Sequence, residues 1–129
     1  MSVTYCELRN GIHLVVLSGP LNDGQAEAVI QAFTEISEQG GQRVVLSLKK
    51  VPFIDSRGLA ALIAGYKIFG RDGAHFRMAG VQDQPRLLLE LTGFDRVFRI
   101  YDSLTEALPS REPDQVLLAG SVLELAVAV

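Results

Sequence analysis

The feature that most constrains this chain is the alternation of short apolar runs with stretches whose apolar residues recur at helical spacing. The apolar runs predict strands at Ile12–Leu17, Arg43–Leu48, Ala74–Ala79 and Arg96–Tyr101, with a further N-terminal strand at Thr4–Leu8. Strands that alternate with helices require crossover connections, which favour parallel pairing. The sequence therefore predicts an α/β layered fold, with a mostly parallel central sheet of four to five strands and about four helices. The Val44–Leu46 run also predicts a strand that is buried on both faces.

Four helical segments follow the predicted central strands. They are expected from Gln25 to the glycines at 40–41, from Arg57 to Phe69, over the short segment 85–92, and after Ser103. In the first two, apolar side chains recur every three or four residues. Pro85 suits the start of the third helix, where its missing N–H group costs nothing, and Gly93 ends that helix. Ser103 and Glu106 form a capping-box pattern that opens the last helix.

The composition excludes several classes of function. The 129 residues predict one domain, and the 48% hydrophobic content is enough for a core. A net charge of −3 gives no electrostatic footprint for nucleic acid or for an anionic membrane surface. The N-terminus has no basic region followed by an apolar core, so no signal peptide is predicted and a cytoplasmic protein is expected.

The reactive residue types form no recognisable catalytic or metal-binding pattern. Cys6 is the single cysteine, which excludes an intrachain disulfide; it is predicted to be a small apolar filler rather than a reactive thiol. His13 and His75 both fall in predicted strands and show no metal-ligand spacing. No phosphate-binding loop or dinucleotide fingerprint is present. We therefore expect no enzyme activity, no cofactor and no metal.

The last residues differ in character from the rest of the chain. A polar, proline-bearing linker at 109–114 precedes the apolar segment 116–129. This segment is too short to span a bilayer, which needs about 20 apolar residues. Its spacing fits a helix stripe and a strand face almost equally well. It packs on its own domain, forms a homodimer or domain-swapped contact, or belongs to a larger protein.

The residues Asp55-Ser56-Arg57-Gly58 stand where an apolar strand gives way to a helix. Asp55 or Ser56 is expected at the helix N-cap, where a side-chain oxygen satisfies backbone N–H groups. A helix N-terminus also favours anions, and a phosphate on Ser56 would bring a charge of about −1.5 to −2 to it. Arg57 opposes the helix dipole, and Gly58 is expected to leave backbone N–H groups open to approach. Ser56 is thus either a cap or a switch residue.

Three segments carry a resemblance to a known family. They are LSGPLN at 17–22, VVLSLKKVPFIDSRGLAAL at 44–62 and LLLELTGFDRVFRIYDSLTEAL at 87–108. In this order and spacing they resemble the STAS domain and, within it, the bacterial anti-sigma-factor antagonists. The resemblance covers about residues 10–108. It implies a STAS domain over residues 1–108, followed by the linker and apolar extension at 109–129.

The resemblance implies a phosphorylation switch at Ser56. In that family, an anti-sigma factor that is a serine kinase phosphorylates the serine after the aspartate, and a phosphatase resets it. The unphosphorylated protein binds the anti-sigma factor, so the sigma factor is released for transcription. The implied partner-binding residues are Pro20, Asn22, Asp23, Asp55, Ser56, Arg57 and Gly58.

Two positions depart from the family pattern. Arg57 stands where the family has Ser or Thr, and Asn22 stands where it has Asp, with Asp23 one step later. Both departures make the partner face less acidic. Two other functions remain open: a scaffold STAS subunit of a larger signalling or lipid-transport assembly without a phosphoswitch, and a small-ligand sensor with a cavity near the helix N-terminus.

Overall fold

A computed structural model describes residues 2–8, 10–70 and 75–108 of the chain. Its five-stranded sheet has the sequential order β1-β2-β3-β4-β5. The strands are β1 (Ser2–Glu7), β2 (Ile12–Ser18), β3 (Arg43–Lys50), β4 (Phe76–Ala79) and β5 (Arg99–Tyr101). Only β1 is antiparallel to its neighbour, and the other pairs are parallel. The predicted mostly parallel sheet is confirmed.

Four α-helices connect or follow these strands, as predicted. They are α1 (Asp23–Glu38), α2 (Ser56–Phe69), α3 (Asp83–Thr92) and α4 (Leu104–Ala107), with a 3₁₀ turn at Phe94–Arg96. The buried faces of α1, α2 and α3 share one core with the sheet. The short helix α4 packs with the opposite sheet face. The sheet is therefore covered on both sides.

The central strands show burial on both faces, as the apolar run in β3 predicts. Val44 is 1% exposed and belongs to the core under α1 to α3, whereas its neighbour Val45 is 2% exposed and belongs to the core under α4. The same alternation separates Val15 from Leu14 in β2. Successive side chains of a strand point to opposite faces, so each central strand contributes to two cores.

Two helices begin earlier than their apolar pattern indicates. Helix α1 begins at Asp23 rather than Gln25, because the Asn22 carbonyl already accepts the first helical hydrogen bonds. Helix α3 begins at Asp83, so Pro85 is its third residue instead of its first. The missing N–H group of Pro85 still costs nothing, since the first four N–H groups of a helix have no intrahelical partner. Gly93 ends α3 with a φ of 81°, as predicted.

Several strand boundaries also differ from the predicted ones. The first strand is Ser2–Glu7, two residues earlier than predicted at its start, because its pairing with β2 continues until Ser2 lies opposite Ser18. The last strand begins at Arg99 rather than Arg96, since the preceding residues form the 3₁₀ turn. His75 precedes β4, and the predicted strand start at Ala74 lies outside the described residues.

Cys6 is not the apolar filler that the sequence predicts, because its side chain is exposed on the edge strand β1. Partial desolvation nevertheless raises the pKa of the Cys6 thiol. A raised pKa lowers the thiolate fraction, which is the nucleophilic form. The predicted linker and apolar segment at 109–129, including the homodimer prediction, lie outside the described residues.

Candidate functional site

The site lies where β2 and β3 end and α1 and α2 begin. Beyond the two strands, Leu21 and Ile54 form an isolated parallel bridge. The Leu21 N–H group donates to the Phe53 carbonyl at 2.8 Å, and the Asp55 N–H group donates to the Leu21 carbonyl at 3.2 Å. This bridge aligns the loop before α1 with the loop before α2. The two sequence segments that carry the predicted partner-binding residues therefore lie side by side.

The Asp55 carboxylate joins the two helix N-termini. Its Oδ1 accepts the Gly58 N–H group at 2.8 Å and so caps α2. Its Oδ2 accepts the N–H group of Asp23, the first residue of α1, at 3.1 Å. Unsatisfied N–H groups give each helix N-terminus a partial positive charge. One carboxylate thus compensates the positive ends of two helices.

Ser56 is the first residue of α2 and is exposed. Within the described part of the chain, its hydroxyl has no hydrogen-bond partner. The cap is Asp55, so the interpretation of Ser56 as the helix cap is wrong. The physical reason is that the Asp55 carboxylate reaches both Gly58 and Asp23, whereas Ser56 already has a helical backbone. The Ser56 hydroxyl is consequently available to an incoming molecule.

Gly58 lies beneath the site and does not form its surface. A Cβ atom at this position would lie 2.2 Å from the Leu21 carbonyl oxygen and 3.0 Å from a methyl carbon of Ile54. The glycine therefore allows α2 to approach the Leu21–Ile54 bridge closely. The prediction that the Gly58 N–H group is open to approach is wrong, because this group donates a hydrogen bond to Asp55.

One departure from the family pattern, Arg57, pairs with Asp23, the residue that follows the other departure, Asn22. The Arg57 guanidinium lies 3.5 Å from the Asp23 carboxylate, and both side chains are 72% exposed. An exposed ion pair contributes only about 0–1 kcal/mol to stability. The main effect of this pair is therefore on the charge of the surface, since a cation and an anion stand together beside Ser56.

The remaining predicted partner-binding residues flank this group. Pro20 is exposed, and Asn22 is half-buried at the N-cap of α1. The Asn22 side chain makes no capping bond, and its backbone carbonyl accepts from Gln25 and Ala26. The surface around Ser56 thus includes Pro20, Asn22, Asp23, Asp55 and Arg57, with Gly58 buried underneath.

Two further residues at the site are absent from the sequence-based prediction. Phe53 is an aromatic residue with 44% exposure in the loop that follows β3. Gln84 of α3 hydrogen-bonds both backbone groups of Ile54 through its side-chain amide. Pro52 before Phe53 is a local signal for a loop. No local signal identifies Gln84, because its partner lies 30 residues away.

The opposite end of the sheet carries different features. Two cavities of about 260 and 490 Å³ share the loop 40–42 after α1, and each is lined by one histidine. His13 is 5% exposed, and its Nδ1 atom has no hydrogen-bond partner among the described residues. The described ranges contain no group of three or more His, Cys, Asp or Glu residues that could hold a metal ion. These cavities are remote from the helix N-terminus at Ser56.

Over the described residues, none of the helices is both long and apolar enough to cross a bilayer.

A family model, a related sequence and a solved structure all match most of this chain. The family model of the STAS domain matches residues 6–107. The anti-sigma F factor antagonist of Paenibacillus polymyxa is 31% identical over 107 residues, which cover 82% of this chain and 92% of that protein. The crystal structure of an anti-sigma factor antagonist from Mycobacterium paratuberculosis has a TM-score of 0.71 at 30% identity, covering 82% of this chain and 91% of that chain.

A more distant structure shares the fold. The Bacillus cell fate determinant SpoIIAA, solved in its phosphorylated form, has a TM-score of 0.64 at 14% identity, covering 82% of this chain and 96% of that chain. The family model spans most of the described domain, and the similar sequence covers nearly the whole of its relative. The chain therefore belongs to the STAS domain family, and its named relatives are anti-sigma factor antagonists.

Proposed function

We propose that this protein is an anti-sigma-factor antagonist whose binding surface surrounds Ser56. In its unphosphorylated form it binds an anti-sigma factor in the cytoplasm, and a sigma factor is thereby released for transcription. The anti-sigma factor is a serine kinase that phosphorylates Ser56 and ends the complex. A phosphatase restores the hydroxyl. The protein itself performs no catalysis, since the kinase supplies the nucleotide and the metal.

The observation that carries this proposal is the separation of capping from reactivity at the start of α2. Asp55 caps the helix, and Ser56, the next residue, is exposed with no hydrogen-bond partner in the described part of the chain. A kinase can therefore take up the Ser56 hydroxyl without breaking an internal hydrogen bond. The named relatives of this chain favour the same function.

The local electrostatics allow the fold to accept a phosphate on Ser56. The phosphate would stand at the positive end of α2, where anions are stabilising, and one residue from the Arg57 cation. Asp23 and Asp55 lie close by and oppose the added charge. We expect the domain to remain folded after phosphorylation, while the charge that a partner meets at this surface changes by about −1.5 to −2.

The partner surface combines an apolar and a charged part. Pro20 and Phe53 are exposed apolar residues, and Asp23 and Arg57 form the exposed ion pair. Phenylalanine and arginine are among the residues that are enriched at protein interfaces relative to the rest of the surface. We propose that the anti-sigma factor contacts Phe53 with an apolar pocket and surrounds Ser56 with polar groups.

The test is affinity capture from a lysate of the native organism with full-length Ser56→Ala and Ser56→Asp proteins. We expect the alanine protein to retain a serine kinase, identified by mass spectrometry, and the aspartate protein to lose it at least tenfold. A phosphorylated peptide containing Ser56 from the native protein would support the switch directly.

Ser103 provides the matched control, because it is a serine at a helix start that serves as the cap. Ser103→Asp adds the same charge at the start of α4, which packs on the opposite face of the sheet from α2, and it keeps a capping side chain, so it should retain the kinase. Equal capture by both Ser56 variants would contradict the switch. Capture of only further copies of this chain would favour the scaffold function.

A further inference from the structure

The loop that precedes Ser56 is held by a side chain from a different helix. Gln84, the second residue of α3, accepts the Ile54 N–H group with its Oε1 atom at 2.9 Å. The Nε2 atom of the same amide donates to the Ile54 carbonyl at 3.0 Å. One side-chain amide thus satisfies both backbone groups of Ile54.

This contact replaces a strand that is missing at this point of the sheet. Strand β4 pairs with β3 only as far as the Ser47–Ala79 pair. Among the described residues, no backbone group pairs with the N–H or carbonyl group of Ile54 on that side. On its other side, the loop is bridged to Leu21. The side-chain amide of Gln84 carries a carbonyl acceptor and an NH₂ donor, so it offers both kinds of hydrogen bond that a neighbouring strand would supply. It therefore closes the hydrogen bonding of the loop at Ile54.

Ile54 immediately precedes the Asp55-Ser56-Arg57-Gly58 segment of the candidate site. It is 1% exposed, and the next residue is the Asp55 cap that binds both Gly58 and Asp23. A buried backbone group without a partner is costly, so loss of Gln84 favours movement of the loop toward water. Such movement would shift Asp55 relative to the two helices that it joins, and Ser56 with it.

We propose that Gln84 is the positioning residue that fixes the Ser56 loop in the conformation that the anti-sigma factor recognises. The functional half of this inference rests on the function proposed above. The positioning half concerns the isolated protein and stands independently. Gln84 therefore contributes to recognition indirectly. Its amide is already hydrogen-bonded to Ile54 and does not contact the partner.

The decisive variant is Gln84→Met, which keeps the length and approximate volume of the side chain but removes both hydrogen bonds. The matched control is Gln82→Met. Gln82 stands two residues earlier, at the N-cap of α3, and its amide donates to the Lys49 carbonyl instead of Ile54. Both variants lose side-chain amide bonds from the same end of α3, but only one releases the Ser56 loop.

The first measurement is amide hydrogen exchange of the full chain, resolved by residue with NMR. We expect Gln84→Met to accelerate exchange at Ile54 and Gly58 by at least tenfold, with protection in the middle of β2 and α1 unchanged. Gln82→Met should leave Ile54 and Gly58 as they are. Unchanged exchange in Gln84→Met, or equal loss in both variants, would overturn the positioning role.

The second measurement places the Gln84→Met change in the Ser56→Ala background and repeats the capture from native lysate. A loss of kinase capture of fivefold or more, with Gln82→Met unaffected in the same background, supports the functional half of the inference. Accelerated exchange with full kinase capture overturns that half. If Ser56→Ala alone captures no kinase, the proposed function fails instead, and the exchange data still decide whether Gln84 positions the loop.

Discussion

Two helices in this molecule have a serine at their start, but only one of the two serines caps its helix. At α4, Ser103 is the cap: its side chain accepts the Glu106 N–H group at 3.3 Å. At α2, the cap is Asp55, and Ser56 stands one position later with its hydroxyl unengaged among the described residues. A hydroxyl used as a cap is tied to the backbone, whereas a hydroxyl displaced by one residue is available for chemistry.

The two starts also differ in what supports them. The α4 start is local, because its capping serine and the glutamate in its first turn are three residues apart. The α2 start depends on distant segments, since Asp55 binds the N–H group of Asp23, 32 residues away, and Ile54 binds Gln84, 30 residues away. The candidate functional site is therefore the one whose geometry requires the assembled fold. Four sets of substitutions test this comparison.

The largest effect is expected for Gly58→Ala. The new Cβ atom would lie 2.2 Å from the backbone carbonyl oxygen of Leu21, which cannot move aside without shifting the bridge to Ile54. Overpacking of this kind costs about 1–3 kcal/mol, and a backbone obstacle places this case near the upper end, about 3 kcal/mol. Urea denaturation of the full chain measures the change in the free energy of unfolding.

Gly24→Ala is the control for this substitution. Gly24 also lies in the first turn of a helix at this site, but its added Cβ would be 3.7 Å from the nearest atom, an ordinary contact. Replacing a helical glycine by alanine generally stabilises by about 0.5–1 kcal/mol. Similar destabilisation by both alanines would show that the close approach of α2 to Leu21 has no special cost.

The second largest loss of stability is expected for Asp55→Ala, because this substitution removes the hydrogen-bond acceptor of two N–H groups at once. Loss of a helix cap costs about 0.5–2 kcal/mol, and the freed Asp23 N–H group adds a smaller cost because it can reach water. We expect about 1–3 kcal/mol by urea denaturation. Asp55→Asn, which keeps one good acceptor, should recover more than half of this loss; no recovery would mean that the carboxylate acts by charge alone.

The serines themselves give the most direct form of the comparison. Ser103→Ala removes a cap and should cost about 0.5–2 kcal/mol. Ser56→Ala removes an exposed hydroxyl without a partner in the described chain, and it should change the free energy of unfolding by less than about 0.5 kcal/mol. Thermal and urea unfolding of the two variants in parallel measure the difference. If Ser56→Ala is the more destabilising, the Ser56 hydroxyl is bound in the native state and is not available to a kinase.

The contrast between local and distant support also explains what the sequence predicts correctly. The order of strands and helices follows from apolar periodicity, and the Ser103–Glu106 capping box is a pattern within four residues. Both are confirmed. Such signals need no knowledge of the tertiary structure, since they depend on residues that are adjacent or one helical turn apart.

The details of the candidate site depend on contacts that local patterns do not encode. Asp55 and Ser56 are both good caps by residue type, and the choice of Asp55 becomes visible only when Asp23 is brought beside it. From the sequence alone, Gly58 is interpreted as a residue that keeps the turn open. Its close approach to Leu21 becomes visible only in the folded structure. The contact between Gln84 and Ile54 joins a helix side chain to a loop backbone, and no periodicity specifies that pairing.

The smallest effect concerns the charged residues of the two helix starts. In the first turn of α4, Glu106 complements the helix dipole, whereas the first turn of α2 has no acidic residue and carries Arg57. The cation opposes the dipole by about 0.3–1 kcal/mol, and the exposed pair with Asp23 returns a similar amount. Arg57→Ala should therefore leave stability within about 0.5 kcal/mol of the unchanged protein.

A double-mutant cycle of Asp23→Ala and Arg57→Ala isolates the pair itself. We expect a coupling free energy of about 0.2–1 kcal/mol in low salt, and close to zero in 1 M NaCl, where the Debye length is about 3 Å. A coupling that survives high salt would mean that the pair is shielded from water and is part of the framework of α2. If the coupling vanishes, the Arg57 cation is held only weakly by Asp23. It can then leave Asp23 and pair with a carboxylate of the partner or with a phosphate on Ser56.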